Sequence, residues 1–356
     1  MEEELPYRRK LKSVLGFSSA CVPSILTGGR PRDHNHWSFF FHAPGGSPFS
    51  ALRWLRFLPK RLAERGRIRN LISKVVKKIY GYEGYFQLYN MPFEHLHLFD
   101  YCEKRDLFKP GGINRGRSIF DDLHEAGADY HVSDWRNSEA MNLEALKREL
   151  EGGRISFAFL YLADMDGLLH RVGKASTEVD SKLEWYENAL RDVLVTATSF
   201  YDGVHLHVCS DHGMATVHST VDIMDKVERL GLTFGSEYVA AYDSTMARFW
   251  FRSESAHAAI RSLLESLPEG RILEKSELEE LGCDFDEDRF GQLIFLTNPG
   301  VLIVPSHMGL KPITGMHGYH PDDPDSDASL LSSVPPPGDP ECITDIYGLM
   351  RAEARI

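Results

Sequence analysis

Three separated acid and histidine clusters carry the chemistry most visible in this sequence. They read Asp166-Gly-Leu-Leu-His170, Ser210-Asp211-His212-Gly213-Met214 and Gly315-Met316-His317-Gly318-Tyr319. Two carboxylates and three imidazoles can hold a pair of divalent cations. The mixed oxygen and nitrogen set suits Zn²⁺, with Mn²⁺ as the second choice, because Mg²⁺ or Ca²⁺ would favour oxygen ligands throughout. A fourth segment, Ser18-Ser-Ala-Cys-Val-Pro-Ser-Ile-Leu-Thr-Gly28, can add a hydroxyl nucleophile. A hydroxyl beside paired cations is equipment for hydrolysis of a phosphoryl group.

Each cluster also has a plainer reading. Asp166 and His170 lie four apart, so a helix would turn both toward one ion, yet an N-capping aspartate with a surface histidine gives the same pattern. Asp211 and His212 are adjacent and point apart; they would serve one ion on an irregular backbone or face two neighbouring ions. An Asx-turn with a hydrogen-bonded histidine is the alternative. His317 sits between glycines on a loop and gains its weight from completing the set. The serine segment reads as a loop entering a helix, where a hydroxyl lies beside free N–H groups and the positive helix end. Ser18 and Ser19 could equally be ordinary caps.

The elements around these clusters predict how they are positioned. Residues 155–163 and 204–209 are short, apolar, β-rich runs that end at the first two clusters, and residues 142–150 and 181–198 show helical spacing. Strands alternating with helices predict an α/β fold, a three-layer α/β/α sandwich with a mostly parallel central sheet. Ligands in such sheets bind beyond the carboxyl ends of strands, where the clusters fall. The whole chain, 1–356, reads as one catalytic domain with two insertions. Residues 46–125 form a basic and aromatic cap. Residues 240–305 form a small α+β subdomain with a strand at 247–251, a helix at 254–267 and strands at 292–296 and 301–304. Irregular structure is expected after His320.

Net charge is −12, which argues against general nucleic-acid affinity, but residues 53–78 carry a local net of +9. Apolar residues alternate with these basic ones in an amphipathic, cationic helical pattern. The segment could draw anionic substrates toward the metals, dock peripherally on anionic lipid, or pack as a solvated helix face. No apolar run reaches the length of a membrane span, the N-terminal residues carry no signal core, and five scattered cysteines read as reduced thiols. A cytoplasmic protein is the expectation.

Taken together and in order, the four segments resemble the alkaline phosphatase superfamily, in its type I phosphodiesterase/nucleotide pyrophosphatase branch, over roughly residues 15–325. The branch sets a Thr or Ser nucleophile nine residues before the threonine of a T-G pair, followed by P-x-x-H. Here Ser18 stands nine before Thr27, and Pro31-Arg-Asp-His34 follows. The resemblance implies Ser18 as nucleophile, with Ser19 the alternative. It implies one metal on Asp166, His170 and His317, a second on Asp211 and His212 beside Ser18, and a second-shell or structural role for Asp164. It further implies phosphodiester hydrolysis through a phosphoserine on a small anionic substrate. Phosphomonoester or phosphonate hydrolysis and a catalytically impaired, ligand-binding relative are the alternatives, and mutase chemistry fits least. Cys21-Val-Pro-Ser24 looks like the start of a sulfatase signature, but Ile25 stands where that signature has Arg. The family also carries a metal-binding Asp on a first strand upstream of the nucleophile. No Asp precedes Ser18 here, so the expectation is a first strand missing from this chain and a second metal site one ligand short.

Overall fold

The structure is a computed structural model describing residues 3–63 and 65–356. The strands nearest the serine segment form a three-stranded antiparallel sheet. β1 (Tyr7–Leu11) leads directly into α1 (Ser18–Thr27). A second pair, β2 (Tyr130–Val132) and β3 (Phe157–Phe159), runs parallel, and β3 feeds α2 (Asp164–Val172), which is followed by the long α3 (Thr177–Phe200). β4 (His207–Cys209) precedes the Asp-His-Gly segment, and β5 (Ala328–Ser332) lies between β1 and β4. Leu11 faces Ala328 and Cys209 faces Leu330 across these ladders. The chain closes with α4 (Asp345–Ala354).

Helices cover the strands on two sides, which gives the α/β architecture. On one side, α1 buries Ala20, Cys21, Ile25 and Leu26 against Leu11, Leu330, Ile346 and Leu349. On the other, Leu143, Leu146 and Leu150 of the helix Glu139–Glu151 pack with Val193 and Ala197 of α3 over Ile155, Leu160 and Val204. The strands are shorter than the apolar runs suggest: only 157–159 of the first run and 207–209 of the second adopt strand pairing. Parallel pairing joins β2 to β3 and Ser219–Val221 to Val301–Ile303, while the remaining described pairs are antiparallel. Among the described residues β3 and β4 each have a strand neighbour on one edge alone, and Phe157, Phe159 and Val208 are accordingly half-buried.

Within 240–305 a four-stranded antiparallel sheet forms, in the order Gly270–Ile272, Leu293–Thr297, Met246–Phe251 and Tyr238–Tyr242. The helix Glu254–Glu265 packs Ile260 and Leu264 into the same core as Phe249 and Phe295. Val301–Ile303 does not join that sheet but returns to pair with Ser219–Val221. Within 46–125, a 3₁₀ segment Pro48–Phe57 and the helix Gly66–Tyr80 share a core with Trp250 and Val239. That helix buries Arg69, Ser73 and Val76, yet leaves Leu71, Val75 and Ile79 exposed, an outward apolar stripe at one-turn spacing. No described helix is long and apolar enough to cross a membrane.

One buried ion pair ties these parts together. The Arg248 guanidinium donates to Asp243 Oδ2 at 2.8 Å, to Ser38 Oγ at 2.8 Å, and to the carbonyls of Phe40 and Phe290 at 2.9 and 3.0 Å. Removing one member of such a pair strands the other charge in low dielectric, which costs far more than an exposed pair does. Asp243→Ala is expected to lower stability by about 3–5 kcal/mol in urea unfolding. A loss under about 1 kcal/mol, the scale of a surface pair, would contradict the assigned role.

Candidate metal centre

The cluster is assembled from four chain segments. α2 carries Asp166 and His170 on one face, one helical turn apart, directly beyond β3. Asp211 and His212 follow β4 by two and three residues. His317 is delivered by a two-residue ladder in which Gly315 faces Thr216 and Met316 faces Ala215. Ser18 opens α1 after an extended Phe17. Glycine is required where these segments crowd. A Cβ at Gly213 would lie 2.2 Å from the Asp325 carbonyl oxygen, and Gly318, at φ +86°, presses on the Phe17 ring. Thr245 Oγ1 donates to Gly318 O and Ser13 Oγ to Asp211 O, bracing both loops.

The polar atoms converge. Ser18 Oγ lies 2.9 Å from His212 Nε2, and Asp211 Oδ2 lies 3.3 Å from the same nitrogen. Asp166 Oδ2 is 3.3 Å from His170 Nε2, and Asp166 Oδ1 is 3.4 Å from His317 Nε2. His212 and His317 stack with centroids 3.6 Å apart, and the His170 and His317 centroids are 5.1 Å apart. All six residues therefore meet in one site.

Tautomers follow from the backbone. His170 Nδ1 donates to Gly315 O at 2.8 Å, and His212 Nδ1 donates to Gly213 O at 2.9 Å. In the neutral rings Nε2 is then a bare lone pair, and both bare nitrogens point at carboxylates. Asp166 Oδ1 and His317 Nδ1 are buried without hydrogen-bond partners. Asp166 Oδ1 faces His317 Nε2 at 3.4 Å, and together with the Nε2 atoms of His170 and His212 these oxygen and nitrogen donors form a set that fits a divalent metal. Asp166, His212 and His317 offer ligand atoms within 4.8 Å of one another. This tightest triple takes His212 where the resemblance put His170, because the 215–216/315–316 ladder sets His212 and His317 face to face. The two implied ligand sets thus interleave and are not separate clusters.

The electrostatics agree with a charged carboxylate held among imidazoles. Burial acts to raise the Asp166 pKa, but the His170 hydrogen bond and the neighbouring imidazoles overcome it and hold the carboxyl well below its usual range. Burial acts to lower the His170 pKa, and Asp166 reverses it, giving a net rise. Burial drives His317 well below its ordinary value, helped by His212.

The alternatives fall elsewhere. Ser19 Oγ is buried and donates to Trp37 O at 2.7 Å, so it is committed away from the cluster. Cys21 lies fully buried in the main core with its thiol pKa pushed upward by burial, which leaves no place for a sulfatase-like centre. Asp164 faces Lys182 at 3.5 Å and does not touch the ligands. His34 is buried against Ser24 Oγ at 2.9 Å, and burial lowers its pKa to about 3, so it acts as a neutral packing group.

An aromatic wall beside the cluster was not singled out in the sequence. Phe39 stacks on Tyr89 and on Tyr101, each at 5.6 Å between centroids, and Tyr85 and Tyr89 share a hydroxyl contact at 2.9 Å. Burial raises the Tyr89 and Tyr161 pKa values, and the Asp166 charge adds to both. The signal was the density of aromatics in 80–101, which reads as core in a linear sequence.

With this geometry in hand, the family model for type I phosphodiesterase / nucleotide pyrophosphatase matches residues 79–320. The chain belongs to that family. The family is metal-dependent and its members hydrolyse phosphoester bonds, and this chain is a hydrolase of that class. The match contains Asp166, His170, Asp211, His212 and His317 but begins after Ser18. No curated protein matches the sequence. Among solved structures, murine ectonucleotide pyrophosphatase/phosphodiesterase 5 superposes with a TM-score of 0.69 at 15% identity, covering 98% of this chain and 86% of that one. An inactive variant of the murine protein in complex with AMP gives 0.67 at 15% identity, covering 98% and 87%. Phosphonoacetate hydrolase from Sinorhizobium meliloti 1021, in complex with phosphonoacetate, gives 0.61 at 13% identity, with 98% and 87% covered. These likenesses show the alkaline phosphatase-like fold.

Glu103 provides a pH test of the wall. It is buried among the tyrosines, and burial pushes its pKa up to about 8. The folded state therefore keeps a proton that the unfolded chain releases above its ordinary value of about 4.3. Stability falls as pH rises from there toward the folded pKa, by about 4 kcal/mol between pH 5 and 8. Glu103→Gln should flatten this decline and melt higher than wild type at pH 8, with little difference at pH 5. Parallel melting curves across that range would contradict the assignment.

Proposed function

We propose that this hydrolase cleaves phosphodiesters by nucleophilic attack of Ser18. Two divalent cations, Zn²⁺ before Mn²⁺, would be held by Asp166, His170 and His317 and by Asp211 and His212. The observation that carries the reading is the 2.9 Å contact between Ser18 Oγ and His212 Nε2 inside a ring of five metal-capable side chains. When bound, the cations would polarise the phosphoryl oxygens and lower the pKa of the serine hydroxyl.

The chain's own residues do the rest. His212, its Nδ1 proton committed to Gly213 O, sets Nε2 2.9 Å from Ser18 Oγ, so a cation taken up on that nitrogen would lie beside the hydroxyl. Ser18 opens α1, and the positive end of a helix favours an anionic phosphoryl group. Ser18 releases its hydroxyl proton to solvent as Oγ bonds to phosphorus and the ester bond breaks, and the departing alkoxide takes a proton from solvent in turn. Water then cleaves the phosphoserine and restores the hydroxyl. The wall of Phe39, Tyr85 and Tyr89 suits a flat aromatic group on the substrate, as a nucleoside base would supply. The murine neighbour's AMP complex is in keeping with that class.

With Zn²⁺ or Mn²⁺ supplied, a bis-nitrophenyl phosphodiester should be turned over, and Ser18→Ala should lower kcat by roughly a thousandfold or more. Wild-type turnover by Ser18→Ala would refute the nucleophile. An inert wild-type protein that still binds AMP would favour the impaired, ligand-binding relative.

The peripheral membrane contact of 53–78 is a further part of the proposal. Its support is the exposed stripe Leu71, Val75 and Ile79 alongside Lys74 and Lys78, with Trp54 and Phe57 exposed on the preceding segment. Co-sedimentation with phosphatidylserine vesicles should be lost in Leu71→Ser/Val75→Ser/Ile79→Ser. Equal sedimentation of wild type and variant would remove the membrane reading.

A further inference from the structure

A second cluster of metal-capable side chains lies at the opposite end of β4. His205 and His207 are two residues apart on an extended backbone, so both project to the same side. The ladder continues past β4 to hold them: Ser333 N donates to Leu206 O at 2.9 Å, and Leu206 N donates to Ser333 Oγ at 2.8 Å. Glu353, in the last turn of α4, reaches between the two rings. Its Oε2 is 2.6 Å from His205 Nδ1 and its Oε1 is 3.2 Å from His207 Nε2. One ligand atom from each of the three residues lies within 4.8 Å of the others. His207 is four residues and His205 six residues before Asp211, roughly 13 and 20 Å of extended chain, so this cluster is separate from the one that holds Asp211.

The hydrogen bonds around His207 fix where its proton is. Ser332 Oγ lies 2.5 Å from Val334 O, a carbonyl with no proton to give, so the serine hydroxyl donates there. The same Oγ, 2.9 Å from His207 Nδ1, must then accept from the ring. With Nδ1 protonated, Nε2 of the neutral ring is a bare lone pair facing a carboxylate oxygen. Two acceptors at that range need a shared cation. Ligand atoms around a tetrahedral Zn²⁺, each about 2.0–2.1 Å from the ion, sit about 3.3 Å apart, close to the 3.2 Å between His207 Nε2 and Glu353 Oε1, whereas the 2.6 Å between His205 Nδ1 and Glu353 Oε2 is a hydrogen bond that the ion would replace. A serine fixing the far nitrogen of a ligating histidine is also the outer arrangement such sites use.

We propose that His205, His207 and Glu353 form a structural site for a divalent transition metal of the Zn²⁺ class. The ion would join α4 to β4 and leave one coordination position to water. Imidazole and carboxylate donors suit Zn²⁺, and Mg²⁺ or Ca²⁺ would bind poorly. The site takes no part in hydrolysis.

The test is zinc stoichiometry. Full-length protein is stripped, reloaded with Zn²⁺ alone, freed of excess and analysed for bound metal. His205 is half-exposed, so His205→Ala should fold, and it should bind one equivalent fewer than wild type while keeping phosphodiester turnover. Asp166→Asn/Asp211→Asn, which weakens the catalytic set, should still retain one equivalent and gain thermal stability on zinc addition. An unchanged stoichiometry in His205→Ala would overturn the proposal. So would the absence of any bound zinc or zinc-dependent melting shift in the Asp166→Asn/Asp211→Asn protein.

Discussion

The end of this molecule that gathers the acid and histidine motifs is organised around one electrostatic constraint: a half-buried carboxylate faced by imidazole nitrogens whose ring protons are committed to backbone carbonyls. Gly315 O and Gly213 O take the Nδ1 protons of His170 and His212, so the lone pairs on Nε2 face Asp166 and Asp211. Without a cation, the protein must protonate a histidine to offset Asp166, and the opposed pKa shifts of Asp166 and His170 express that tension. With a cation, every orphaned acceptor gains a partner. The backbone thus turns Nε2 of both histidines toward the carboxylates, and the carbonyls that do so belong to the loops that carry His212 and His317.

The surrounding structure exists to hold those loops in contact. β3 and β4 aim Asp166 and Asp211 at one place, and the short ladder at 315–316 adds His317 from the far side. Phe17 connects the set to the nucleophile, because its ring packs at the Gly318 turn and on the His317 edge while its backbone caps α1. The aromatic core shared by 46–125 and 240–305 is built independently, and the Arg248–Asp243 pair locks it to the strand at Phe40.

Much of the site was legible in the sequence because metal ligands need particular residue types at strand ends, and such types are conspicuous. Asp166, His170, Asp211, His212, His317 and Ser18 all meet as their motifs imply. Their grouping was not legible. It depends on pairing between residues 215–216 and 315–316, which no local pattern encodes, and that pairing stacks His212 on His317. Strand lengths were overread because apolar runs such as 155–163 continue into irregular backbone at the site. The grouping of Phe39 with Tyr85, Tyr89 and Tyr101 is not legible in the sequence, since Phe39 is distant from the three tyrosines along the chain. His205 and His207 read as strand residues alone, as Glu353, their partner, is distant in sequence and in a helix.

The claim that the buried acid and histidines are a prepared cation site is tested most directly by anomalous diffraction at the zinc edge from crystals soaked in Zn²⁺. Density is expected within bonding distance of Asp166, with His212 and His317 among its ligands and Ser18 beside it. A well-ordered cluster with no anomalous peak, its histidines still pointing at the carboxylates, would contradict it.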